Sequence, residues 1–185
     1  ATNNADIVLI GESNATWGQG VALGDINGDG YADVVISSTS YPDPNANGGL
    51  FIFYSKGPSG IDSQNLQSGG TADAVITGAS ANDQMGRSLI LADVNGDGFD
   101  DIVSGSAESN GFNGILYVFL SRGSSGIPSM NASSADTIIN GNTFDYIGDQ
   151  IGLTAADLNR DGYEDIVVAG YSGTGIIYIF QGGPT

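Results

Sequence analysis

The stretch Asp25-Ile26-Asn27-Gly28-Asp29-Gly30-Tyr31-Ala32-Asp33 returns twice, as Asp93-Val94-Asn95-Gly96-Asp97-Gly98-Phe99-Asp100-Asp101 and as Asp157-Leu158-Asn159-Arg160-Asp161-Gly162-Tyr163-Glu164-Asp165. Its first residues stand 68 and 64 positions apart, so the chain is built from three long repeats. Side-chain oxygens fall at positions 1, 3, 5 and 9 of each copy, and the glycine at position 6 permits a sharp turn. One such stretch reads equally well as a solvated Asn/Asp/Gly hairpin turn. Three in register point instead to a cation, because two carboxylates about 4 Å apart at an effective dielectric near 20 repel by about 4 kcal/mol.

Around each copy the apolar residues come in short β-branched and aromatic runs bounded by glycine, the pattern of strands and not of helices. Gly20-Val21-Ala22-Leu23, Ser88-Leu89-Ile90-Leu91 and Gly152-Leu153-Thr154-Ala155 lead in, and Val34-Val35-Ile36, Ile102-Val103-Ser104 and Ile166-Val167-Val168 lead out. The acidic stretch therefore forms a hairpin turn. A third strand follows in Gly49–Tyr54, Gly114–Phe119 and Gly175–Phe180, apolar enough to be buried on both faces. A fourth, offset element has the form Ala-Asp followed by four residues and glycine, at Ala5–Gly11, Ala72–Gly78 and Ala135–Gly141. No helix is expected. Four short antiparallel strands per repeat describe a blade of a β-propeller, an all-β fold, with Ser55 to Thr71 and Ser121 to Ser134 as surface connections.

The hard-oxygen donor set suits Ca²⁺. An EF-hand is excluded, since position 12 would be Glu and is here Ile36, Ser104 or Val168, and the flanks are strands. The loop in its strand context resembles the FG-GAP repeat of integrin α-subunit propellers, and the resemblance covers nearly the whole chain. The "FG" element resembles Trp17-Gly18 and Met85-Gly86, with Ile147-Gly148 displaced by two residues in the third copy. The resemblance implies three calcium sites: Asp25, Asn27, Asp29 and Asp33; Asp93, Asn95, Asp97 and Asp101; Asp157, Asn159, Asp161 and Asp165. The carbonyls of Tyr31, Phe99 and Tyr163 would complete the shells. Arg160 takes the place of glycine at the fourth position, expected to point outward.

The single unit 1–185 thus divides into a spare outer strand at 5–11, blade 1 at about 16–78, blade 2 at about 85–141 and blade 3 at about 147–181. Blade 3 has no outer strand of its own. The N-terminal strand of another chain is expected to complete it, giving a homodimeric ring or a head-to-tail polymer. The alternative is that these residues are an excerpt of a longer propeller.

Composition narrows the function. Four basic residues face 21 acidic ones for a formal charge of -17, which excludes nucleic acid as a partner. Histidine and cysteine are both absent, which removes imidazole and thiol chemistry. No apolar run approaches the roughly 20 residues of a membrane-spanning helix. The expected function is a non-enzymatic, secreted or cell-surface calcium-binding module, adhesive or structural, with other surface proteins or glycans as further partners. The alternative is a carbohydrate-binding propeller (lectin) using Tyr41, Phe112, Tyr146 or Tyr171, although such residues more often pack between blades, as Trp17 is expected to. Carboxylate pairs such as Asp145 with Asp149, or Glu108 with Asp100, are the weaker hydrolytic candidates. Asn14-Ala15-Thr16 and Asn131-Ala132-Ser133 are glycosylation acceptor patterns placed in surface connections.

Overall fold

The computed structural model describes residues 5–42, 45–149, 152–171 and 175–184. Its strands are β1 (Leu9–Ile10), β2 (Trp17–Gly24), β3 (Asp33–Ser38), β4 (Gly49–Phe53), β5 (Gln64–Asn65), β6 (Ala74–Thr77), β7 (Ser88–Ala92), β8 (Asp101–Ser106), β9 (Ile115–Phe119), β10 (Met130–Asn131), β11 (Thr137–Asn140), β12 (Leu153–Ala156), β13 (Asp165–Gly170) and β14 (Ile176–Phe180). The fold is all-β, as its β-branched and aromatic runs require. The expectation of no helix at all needs one correction, because Ser109–Phe112 closes a single helical turn.

Each repeat makes an antiparallel sheet. β2, β3, β4 and β6 form the first in spatial order, β7, β8, β9 and β11 the second, and β12, β13 and β14 the third. The acidic stretches join β2 to β3, β7 to β8 and β12 to β13, so all three hairpin turns are placed as the sequence predicts. The innermost strands β2, β7 and β12 lie side by side. Residues 150–151 and 172–174 of the third repeat lie outside the described residues.

The core sits between sheets. Leu50, Ile52 and Ile76 of the first meet Ile102, Tyr117 and Phe119 of the second, and Val103, Leu116 and Val118 of the second meet Ile166 and Val168 of the third. Trp17 packs on Phe51 and Phe53 with ring centroids 4.7 and 6.3 Å away, as expected of a core residue. Close approach of the sheets depends on small residues. The Ser37 hydroxyl donates to the Gly86 carbonyl at 2.8 Å, and the Ser88 hydroxyl to that of Gly148 at 2.9 Å. Gly86 and Gly148 have φ of +99° and +81°, and a β-carbon on Gly86 would lie 2.6 Å from that of Ser37. Glycine is thus required here twice over. Gly48 bridges Met85 as Gly114 bridges Ile147, so the third "FG" element holds the same place in space despite its two-residue displacement.

The two long connections are more than surface. Ile127 and Ala132 are buried between the first and second sheets, and β10 adds to the first sheet parallel to β6. Residues 121–134 therefore seal one repeat against the preceding one. At the far end the sealing stops: β4 is buried throughout, whereas Ile177 and Ile179 of β14 are 61% and 56% exposed. The expectation of third strands buried on both faces holds for β4 and nearly so for β9, and fails for β14 because the face that β4 and β9 pack on the next sheet has no further sheet on it among the described residues.

Candidate metal centres

The acidic loops fold around their own carboxylates. In the first, Asp25 accepts the backbone N–H groups of Gly28 at 2.7 Å, Asp29 at 3.1 Å and Gly30 at 2.8 Å. Asn27 accepts from Asp29 at 3.0 Å, and Asp29 from Tyr31 at 2.9 Å. Asp93, Asn95 and Asp97 repeat the set on Gly96, Asp97, Gly98 and Phe99. Asp157, Asn159 and Asp161 do the same on Arg160, Asp161, Gly162 and Tyr163. Short acceptor side chains that bond the backbone two to five residues on explain why Asp and Asn recur here.

Position 9 lies beneath this rim. Asp33, Asp101 and Asp165 are buried. Each accepts one N–H from its own loop, at Ile26, Val94 and Leu158, and one from the end of the third strand, at Ser55, Ser121 and Gly182. Burial pushes the Asp33 carboxyl up, and raises that of Asp101 to about 7 against its two N–H bonds. A divalent cation beside them would favour the ionised form.

The residues fit such a cation in several respects. Every side-chain donor is oxygen, and a carboxylate holding two N–H groups keeps lone pairs free. The ion-paired bases are engaged elsewhere: Lys56 with Asp62, Arg87 with Glu108 and Asp149, Arg122 with Asp136. The nine aspartates at positions 1, 5 and 9 of the loops are thus left without an ion-paired basic side chain among the described residues. Nor do three acidic side chains already converge as a closed cage among those residues, so an ion would have to draw positions 1, 3, 5 and 9 inward.

Two features act between loops, where no single repeat could reveal them. Position 8 of one loop grips position 1 of the loop before it. Asp100 accepts the Asp25 N–H at 2.7 Å while its own N–H donates to the Asp25 carbonyl, and Glu164 does the same with Asp93. The signal was the acid at position 8 in loops 2 and 3, against Ala32 in loop 1. Position 4 receives the next loop's aromatic ring: a β-carbon on Gly28 would collide with Phe99, and one on Gly96 would come 2.6 Å from Tyr163. The fourth position is therefore no indifferent site, and Arg160 occupies it with a left-handed φ of +63° that favours glycine. Asp100→Ala is expected to destabilise the chain by about 1–2 kcal/mol, measured by urea unfolding, because it strips the acceptor from a partly buried N–H.

The other candidates separate. Asp145 is buried, accepting the Tyr178 hydroxyl at 2.5 Å, while Asp149 faces Arg87 at 3.7 Å. Glu108 is held by Arg87 and Gln84, and Asp100 by Asp25. Tyr41 packs edge-on to Phe51. Phe112 and Tyr146 lie 5.6 Å apart, and the Tyr171 N–H donates to the Asp145 carbonyl, which brings these three predicted aromatics to one end of the second and third sheets. Asn14 is exposed, but the Asn131 side chain is engaged on all sides, accepting from Ser133 and donating to Gly78 and Thr77, so its place in a surface connection is corrected to a link between sheets. Asn131→Ala is expected to cost about 1–2 kcal/mol in thermal unfolding for the same reason.

Comparison with known sequences bears on this arrangement directly. A family model described as FG-GAP-like repeat matches residues 93–168, and one described as FG-GAP repeat matches residues 17–53. Integrin alpha-IIb of Mus musculus is 28% identical over an alignment covering 95% of this chain and 17% of that protein. Phosphatidylinositol-glycan-specific phospholipase D of Rattus norvegicus is 28% identical over 84% of this chain and 18% of that protein. Integrin alpha-PS3 of Drosophila melanogaster is 31% identical over 56% of this chain and 9% of that protein. The chain spans less than a fifth of the length of each of these relatives.

Proposed function

This chain belongs to the FG-GAP repeat family, and from that premise we propose that it is a calcium-binding, non-enzymatic adhesion module whose three sheets are blades of an extracellular β-propeller. The observation that carries the reading is the triple repetition of an oxygen-only loop whose nine aspartates have no ion-paired base. Asp25, Asn27, Asp29, Asp33 and the Tyr31 carbonyl would hold the first ion; Asp93, Asn95, Asp97, Asp101 and Phe99 the second; Asp157, Asn159, Asp161, Asp165 and Tyr163 the third. Bound Ca²⁺ supplies charge compensation there and no chemistry. Three ions would bring the formal charge from -17 to -11. Similarity to integrins supports the adhesive role. Among the described residues no helix is long and apolar enough to cross a membrane.

Calorimetric titration with calcium tests this. About three ions per chain are expected, and Asp29→Ala, Asp97→Ala and Asp161→Ala should each remove one; these side chains lie on the loop rim, away from the core. Unchanged binding in the triple variant would overturn the assignment.

The exposed Phe112 beside Tyr146, with Tyr171 at the same end, favours carbohydrate binding as a second reading. Aromatic faces stack on sugar rings, and a glycan array probed in calcium with the wild type and Phe112→Ala decides it. Binding lost in the variant supports the lectin, and no binding by the wild type rejects it.

A further inference from the structure

The outer edge of β14 pairs with nothing among the described residues. By register, Ile177 and Ile179 of β14 correspond to Leu50 and Ile52 of β4 and to Leu116 and Val118 of β9. In the first two sheets that edge is covered by an outer strand of the Ala-Asp…Gly pattern, β6 and β11. The chain holds a third copy of the pattern, Ala5-Asp6-Ile7-Val8-Leu9-Ile10-Gly11.

That copy already sits as an outer strand with its own sheet missing. Leu9 and Ile10 of β1 pair parallel with Gln64 and Asn65, as Ile76 and Thr77 of β6 pair parallel with Met130 and Asn131. The Val8 N–H donates to the Ser63 hydroxyl at 2.9 Å, as that of Val75 does to Ser129 at 3.0 Å. On its other flank β6 has β4, whereas β1 has no neighbour among the described residues. Its Ile7 and Ile10 are 45% and 39% exposed, much as Ile138 of the paired β11 is at 42%. Two unpaired strand edges of complementary kind, as stand here among the described residues, are a state that folded proteins avoid.

We propose that β1 of one copy completes the third sheet of a second copy, antiparallel to its β14, with Ile7 opposite Ile179, Val8 opposite Tyr178, Leu9 opposite Ile177 and Ile10 opposite Ile176. The register transfers from Ala74 opposite Ile52 and Ile76 opposite Leu50, and from Thr137 opposite Val118 and Ile139 opposite Leu116. Asp6 falls in line with Asp73 and Asp136, which accept the N–H groups of Tyr54 and Leu120, so Asp6 accepts that of Gln181 in the docked copy. Each copy gives one strand and receives one, a head-to-tail contact that closes into a ring or extends as a filament. The contact rests on strands alone. At the loop face Arg160 stands where the next loop's aromatic would sit, and Ala32 offers no acid to Asp157.

The chain has no cysteine, which makes the register directly measurable. Leu9→Cys chains mixed with Ile177→Cys chains, and Ile7→Cys chains with Ile179→Cys chains, should form disulfide-linked dimers under mild oxidation, since directly opposed residues fall within bridging distance. Val8→Cys with Ile177→Cys, on opposite faces, should not. Light scattering over a concentration series should show masses of two or more chains, and Ile177→Lys, altering a side chain exposed in the single chain, should return the mass to one. Circular dichroism verifies that this variant is folded; if it is not, the cross-links alone decide. A single-chain mass at every concentration, or cross-linking as strong in the Val8→Cys mixture, would overturn the proposal. None of these readouts depends on calcium occupancy, so a failed calcium titration and a failed cross-link are separate results.

Discussion

Chelating calcium is expected to lower the thermal unfolding midpoint by about 10 °C. With site constants near 10⁻⁴ M and calcium near 10⁻³ M, linkage gives roughly 1.4 kcal/mol per site, and three sites contribute about 4 kcal/mol. For a chain of this length each kcal/mol moves the midpoint by about 2–4 °C. On the proposed reading, the ion would remove the repulsion among the three ligand aspartates of each loop and balance the buried carboxylates of Asp33, Asp101 and Asp165. Magnesium should replace it poorly, because a smaller ion that demands octahedral geometry fits a wide, flexible oxygen loop badly. Calorimetric scans in excess calcium, in chelator and in chelator with magnesium provide the comparison. Identical midpoints in calcium and in chelator would remove the structural role assigned to the ion.

A comparable loss, about 3 kcal/mol and roughly 6–12 °C, is expected from Gly105→Val. Gly105 lies in β8 where the Gly148 backbone of the next repeat crosses it, and any β-carbon would collide with that backbone and with the Ser88 hydroxyl. Backbone cannot swing aside as a flexible side chain does. The second and third sheets would therefore separate along their seam, disturbing the bond from Ser88 to the Gly148 carbonyl. Gly183→Ala is the matched control, with open space around its β-carbon and no left-handed φ. Denaturant unfolding of both variants measures the difference, and a Gly105→Val chain as stable as the control would mean that the sheets pack less tightly here than the geometry requires.

Strand identity was legible because it is local. Short β-branched runs around the three acidic loops place β2, β3, β7, β8, β12 and β13, and the lack of an outer strand for β14 among the described residues follows from the offset of the Ala-Asp…Gly copies, the last of which, at 135–141, serves the second sheet. What could not be read acts between repeats. Asp100 and Glu164 look like surplus acids until the fold sets each beside the preceding loop, and Gly28 and Gly96 look like ordinary turn glycines until Phe99 and Tyr163 arrive against them. Ile127 and Asn131 belong to a Ser- and Gly-rich stretch whose composition suggests a solvated linker, yet the neighbouring sheet buries the one and bonds the other. The single turn at Ser109–Phe112 is too short for any helical period to register.

The grip of position 8 on the loop before it runs one way only. Loops 1 and 2 each have the N–H of their first aspartate accepted by a successor's acid, whereas that of Asp157 meets no such acid among the described residues, and Ala32 of a docked copy would offer no side-chain oxygen to it. The three proposed calcium sites would therefore form a graded series and not three equals. If calcium falls, the third proposed site would empty first, so that loosening would begin at the one loop with no successor to hold it and spread back through the other two.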